Sequence, residues 1–144
     1  VKNNHMSNKQ TVRNHRALAV MQIFNGLSAL AGGVGLMGDP SGGNVAMETE
    51  WLEGTPFTNF LIPGIILFVV NGIGNTTGFI FTIRKHMRAA EIGMVFGVVM
   101  MGWIVVQVIL IGYGSFLQPL YFATGLLQLY FGYSLRRSLR KAKV

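Results

Sequence analysis

Four carboxamides, Asn25, Asn71, Asn75 and Gln128, sit inside long apolar runs of this chain. Each can donate and accept hydrogen bonds without carrying charge. The chemistry open to such groups is binding. They can satisfy one another between helices, or hold the oxygens of a lipid head group, a neutral isoprenoid or a quinone-like molecule. Titratable groups lie elsewhere, for no Asp, Glu, Lys, Arg or His occurs within 17–37, 55–83 or 92–135. A proton-coupled carrier would need a carboxylate there, and a haem would need an axial histidine. His5, His15 and His86 all fall outside the apolar runs, and the absence of cysteine excludes disulfides, thiol relays and thiolate metal sites. Glu91 is the one carboxylate beyond residues 39–53. With Arg84, Lys85 and Arg88 beside it, it is expected to form an interfacial salt bridge. No catalytic residue, metal site or cofactor is assigned, and the chain is not expected to be an enzyme.

The elements that must position these amides follow from composition. Of 144 residues, 51% are hydrophobic and 12% charged, with mean hydropathy +0.46. Soluble domains average about 25% charged residues. Uncharged runs of roughly 18 residues or more read as helices that cross a bilayer. The run from 92 to 135 is too long for one crossing, and "GYGSFLQP" at 112–119 supplies glycines and a proline for a reversal. The expected fold is all-α: an integral membrane, antiparallel four-helix bundle with spans near 17–37, 60–83, 89–112 and 115–135. Residues 1–16 form a basic N-terminal segment, 17–135 the membrane domain, and 136–144 a basic tail. The first run is longer than a signal-peptide core and lacks a small-residue cleavage site, so it reads as a span.

Charge sets the orientation. The twelve Lys and Arg fall in 2–16, 84–88 and 136–143, which four crossings place on one side. Cationic flanks stay cytoplasmic, so both termini are expected in the cytoplasm, with the loop 38–59 outside. That loop holds four of the five carboxylates, Asp39, Glu48, Glu50 and Glu53. The expected location is the plasma (inner) membrane of a bacterial cell, multi-pass. The tail "RRSLRKAK" reads as a stop signal touching anionic lipid heads. Nucleic acid is not expected as a partner; membrane lipids are, and another membrane protein or a second copy is an open possibility.

In lipid, helices associate through close backbone approach and polar contacts, so small and polar residues mark the seams. Such stripes recur at helical spacing: Gln22, Asn25, Ala29 and Gly32; Gly64, Asn71, Gly74, Asn75 and Gly78; Gly93, Gly97, Met100 and Gln107; Gln118, Tyr121, Gly125, Gln128 and Gly132. "GNTTG" (Gly74 to Gly78) and "GMVFG" (Gly93 to Gly97) have the GxxxG spacing and are expected to pack the second and third spans together. At about 1.5 Å per residue, Asn25, Asn75 and Gln128 all lie about 10–12 Å in from the cytoplasmic ends of their spans. Three helices thus contribute amides to one layer, with Asn71 a turn further out. Gln107 and Gln118 suggest a second layer near the outer surface. The candidate ligand site is Asn25, Asn71, Asn75 and Gln128.

The outer loop opens on "GDPSGG", a turn, and "METEWLEG" could lie on the membrane with Trp51 as an interfacial anchor. Asp39, Glu50, Trp51 and Glu53 are the candidate lid over the bundle mouth. The outline from the basic N-terminus through "FLIPGIILFVVNGIGN" resembles small bacterial membrane proteins of the DoxX-like kind. That resemblance implies a four-span fold and, for some members, attachment to quinone-linked redox complexes. No thiol is present for redox chemistry here, so no residue roles are carried over. The expected function is a membrane protein that holds a lipid-like or other neutral hydrophobic ligand, or serves as an accessory subunit of a membrane complex. An oligomeric transporter or channel component is the alternative, and a DoxX-like redox-complex subunit another.

Overall fold

The computed structural model describes residues 2–143, with side chains from residue 8 onward. Every regular element among the described residues is helical. Helix α1 spans Lys2–Gly38, α2 spans Leu61–Ile83, α3 spans Ala89–Ile111 and α4 spans Leu117–Lys141. Short 3-10 turns at Gly43–Val45 and Thr49–Leu52 interrupt the loop between α1 and α2.

The helices outrun the predicted spans where charge begins. Residues 2–16 continue α1, and 136–141 continue α4. Both segments lack Gly and Pro, so nothing local ends the helix. Three helices are long and apolar enough to cross a membrane: Asn8–Gly38 within α1, Leu61–Ile83 and Ala89–Ile111. The fourth, α4, is long enough, but Gln118, Gln128, three tyrosines and the terminal cations lower its apolarity.

Burial is reversed relative to a water-soluble fold. Gln22, Asn25, Asn71, Asn75, Thr82, Gln118 and Gln128 are buried, whereas Val20, Leu27, Val34, Ile65, Val69, Val98, Val105 and Leu126 are exposed. Soluble proteins bury the second group and expose the first. Apolar clusters cap the two ends instead. Leu18, Ala90 and Leu135 meet at the basic end, near the termini. Leu36, Leu52 and Phe60 meet at the loop end.

α4 packs against α1 and α3, and α1 also packs along α2. Contact between α2 and α3 is concentrated in the Gly74–Ile83 part of α2 and falls away toward the loop end. Glycines permit the close approaches. A Cβ on Gly97 would stand 2.8 Å from the Gly125 carbonyl oxygen and from the Leu129 nitrogen, so α3 and α4 touch backbone to backbone. The two GxxxG pairs pack α2 against α3 as expected only on the α2 side. Gly74 accommodates the Phe96 ring of α3, Gly78 faces Gln22 and Ile92, Gly93 faces Leu18, and Gly97 faces α4. All four lie at helix contacts, yet three of the four helices share them. The α1–α2 seam rests on other glycines, with Gly26 against Thr76 and Gly33 against Gly64 and Phe68.

Within α2, residues Leu67–Ile73 are π-helical. Such wide turns are rare and concentrate at functional sites. Where the ladder returns to α spacing, Asn75 Nδ2 donates to the Asn71 carbonyl at 3.0 Å, and Thr76 Oγ1 donates to the Gly72 carbonyl at 2.8 Å.

Candidate functional site: an amide layer and a loop-end cavity

The amides predicted to share a layer do so. Asn25 Nδ2 donates to Gln128 Oε1 at 2.8 Å. Gln128 Nε2 donates to Asn75 Oδ1 at 2.8 Å and to the Gly93 carbonyl at 3.0 Å. One glutamine of α4 therefore ties α1, α2 and α3 together. Asn25, Asn71, Asn75 and Gln128 are all 0% exposed. Asn71 stands a turn away in the π-helical segment, and neither its Nδ2 nor its Oδ1 has a hydrogen-bond partner among the described residues; the same holds for Asn25 Oδ1. Two further polar contacts repeat the pattern toward the basic end. Thr82 Oγ1 lies 2.6 Å from Gln22 Oε1, and Asn14 Nδ2 donates to Ser138 Oγ at 3.3 Å.

Toward the loop end from this layer is a cavity of about 400 Å³. It lies between the loop-end halves of α1, α3 and α4, where Ala29, Gly32, Met100, Trp103, Ile104 and Tyr121 form its walls. Its existence follows from the packing: α2 and α3 separate toward this end, and the loop covers the gap. None of the four predicted ligand amides lines it. Gln107 and Gln118, the expected outer layer, both do. Gln118 is spent on the α3–α4 turn, accepting the Gly114 N–H at 3.0 Å and donating to the Gly112 carbonyl at 3.2 Å. The side chains of Ser28, Trp103, Gln107 and Tyr121 make no hydrogen bond among the described residues. They keep donors and acceptors free at an otherwise apolar wall.

The predicted lid divides by role. Trp51 lines the cavity and packs over Gly114. Glu50 and Glu53 are exposed. Asp39 builds the turn after α1, accepting from the Ser41 N–H at 3.1 Å and the Ser41 hydroxyl at 2.5 Å. The Ser41 hydroxyl is the main reason that its carboxyl is held below the usual carboxylate value. The loop is fastened at both ends, for the Phe60 N–H donates to the Pro40 carbonyl at 2.9 Å. Leu52 and Phe60 then anchor it on Leu36.

Glu91 pairs differently from the sequence expectation. Its partner is Arg136 of α4, with Nε 3.4 Å from Oε1, close enough for an ion pair but not aligned as a hydrogen bond. Arg84, Lys85 and Arg88 sit in the turn before α3 and form no ion pair with it. Among the described residues no group of His, Asp and Glu is arranged to hold a metal ion. No protein-family model, curated protein or solved structure matches the chain.

Proposed function

We propose that this chain is a multi-pass plasma (inner) membrane protein of a bacterial cell that holds a neutral amphiphilic ligand under its long loop. The four helices form an antiparallel bundle with both termini in the cytoplasm. Contact registers support that order, since Gly26 meets Thr76 while Gly33, further along α1, meets Gly64. The exposed belt of Val, Leu and Ile supports insertion, because such a surface matches acyl chains and not water. Segregation of cations to the end bearing 84–88 and the termini supports the orientation.

The observation that carries the ligand reading is the 400 Å³ cavity roofed by Trp51. Ligand sites are typically about 300–1,000 Å³, mostly apolar, with a few placed polar groups. Ser28, Trp103, Gln107 and Tyr121 are those groups, and none is charged. A head group with one or two oxygens, carried on a hydrocarbon or isoprenoid body, matches this wall. The amide layer beneath holds the helices together and does not line the cavity.

Native mass spectrometry of the purified protein tests the reading. Wild type should retain a neutral adduct. Gln107→Leu should strip it, and Asn75→Leu, in the hydrogen-bonded layer, should keep it. The reverse pattern would move the site into the amide layer. A wild type that never carries an adduct, even after incubation with a monoacylglycerol or a short-chain quinone, would end the proposal.

A further inference from the structure

A second cavity, of about 740 Å³, lies at the basic end, between α1, the turn 84–88 and α4. Its wall gathers Arg16, Lys85, Arg136, Arg140 and Lys143 around one carboxylate, Glu91. These cations come from three separate stretches of sequence, so the fold itself concentrates the charge. Arg136 is the one that Glu91 pairs with. Arg16, Lys85, Arg140 and Lys143 have no carboxylate partner among the described residues. Like charges lining one cavity repel unless an anion lies among them.

The same cavity includes one further donor. His86 Nδ1 accepts the Arg88 N–H at 3.2 Å, so the neutral ring carries its hydrogen on Nε2, free to donate. One flank is apolar and open, formed by Val12, Ile83 and Met87, which are 47%, 55% and 80% exposed. A methionine that exposed beside a cationic pocket leaves apolar surface next to charge. The ligand that answers both features is an anion with a hydrocarbon part.

We propose that this cavity binds the phosphate head group of an anionic phospholipid. Arg16, Lys85, Arg140 and Lys143 surround the phosphate, and the acyl chains descend past Ile83 and Met87. Basic pockets between helices on the cytoplasmic side have the chemistry for such head groups. A zwitterionic lipid fits worse, because its ammonium group would enter the same positive field. The inference rests on the membrane part of the proposed function and is independent of the loop-end cavity.

The test uses the full chain in an uncharged detergent, titrated with phosphatidylglycerol or phosphatidylcholine and read by native mass spectrometry. Wild type should retain one phosphatidylglycerol with at least tenfold preference. Each cation near an anionic head group is worth on the order of 1 kcal/mol, or about fivefold. Arg16→Gln with Arg140→Gln should therefore weaken retention about 25-fold. Arg137→Gln with Lys141→Gln, which removes equal charge outside the cavity, should change it less than threefold. Met87→Glu, at an exposed position that leaves the interior intact, should weaken it at least fivefold by setting a carboxylate at the rim. Equal retention of the two lipids, or equal loss from both double variants, overturns the site. Displacement by an equal concentration of inorganic phosphate assigns the pocket to free phosphate and overturns the lipid. A protein that stays monodisperse without detergent defeats the membrane reading itself. One that needs detergent yet shows no lipid preference defeats only this site.

Discussion

Gln128→Leu and Asn71→Leu remove amides of equal burial but opposite bonding, and the two should have opposite outcomes. Gln128 makes three hydrogen bonds, to Asn25, Asn75 and the Gly93 carbonyl. At about 0.6 kcal/mol for an average interhelical polar contact in lipid, their loss costs about 2 kcal/mol. The substitution also strands Asn25 Nδ2 and Asn75 Oδ1, at about 1–3 kcal/mol for each buried unsatisfied group. The Gly93 carbonyl keeps its helical bond. An overall loss of about 4–8 kcal/mol follows. Asn71 has nothing to lose, because both its polar side-chain atoms are unpaired. A leucine of similar volume removes that desolvation cost, so Asn71→Leu should be neutral or stabilising by about 1 kcal/mol. Reversible unfolding of the purified protein, followed by helical circular dichroism as a denaturing detergent is titrated into a mild one, measures both. If Asn71→Leu loses as much stability as Gln128→Leu, the bonding assignment is refuted. The same holds if Gln128→Leu costs under about 0.5 kcal/mol.

Gly97→Ala should cost about 1–3 kcal/mol in the same assay, since the added methyl meets the Gly125 and Leu129 backbone at 2.8 Å and neither can rotate away. Gly102→Ala, with nothing within 4 Å, should be neutral or slightly stabilising. Trp51→Ala should lower adduct retention at the loop end about tenfold without altering the unfolding midpoint, because Trp51 roofs the cavity and is not part of the buried clusters. Asp39 has a depressed carboxyl, so the stability of its turn is complete above the ordinary carboxylate value and is lost as pH falls through the lowered one. Hydrogen exchange at the Ser41 amide should stay protected down to that ordinary value. Ser41→Ala, which removes the largest cause, should shift the loss of protection to higher pH.

Some features were legible in the sequence because their physics is local. Uncharged runs give helices, and a rise of about 1.5 Å per residue puts Asn25, Asn75 and Gln128 in one layer whatever the packing. Other features depend on which helices meet. Glu91 was assigned to Arg84, Lys85 or Arg88 by proximity in the chain, but α3 lies along α4, which brings Arg136 to it. The GxxxG pairs were matched to each other because they flank one short turn. In the fold Gly93 and Gly97 serve α1 and α4, and Gly26 and Gly33, seven residues apart, make the α1–α2 seam. The π-helical register at Leu67–Ile73 has no hydropathy signature, since it alters the hydrogen-bond ladder and not the composition. Without it the unpaired state of Asn71 could not be read. The cavity was illegible for the same reason: it arises from the divergence of α2 and α3.

That divergence has an identifiable origin, and it separates stability from binding. The close contacts of α3 with its neighbours lie toward the basic end and the middle, at Gly93 against Leu18, Gly97 against Gly125 and Gly74 against Phe96. At Gly74 the Phe96 ring enters between α2 and α3 and fills the space a closer approach would take. Beyond that wedge the two helices part, and no glycine contact draws them together again. An open end would expose the apolar face of Leu36, which the loop keeps buried. The loop prevents this with its own small core of Leu36, Leu52 and Phe60 and with the Phe60–Pro40 hydrogen bond. The loop thus works as a plug fastened at both ends, and the space under Trp51 is what remains between plug and wedge. Changes in the amide layer should therefore act on the unfolding equilibrium, while changes at Trp51 and Gln107 act on occupancy. Phe96→Ala is the one substitution expected to act on both, because removing the wedge lets α2 settle toward α3 and narrows the cavity from below.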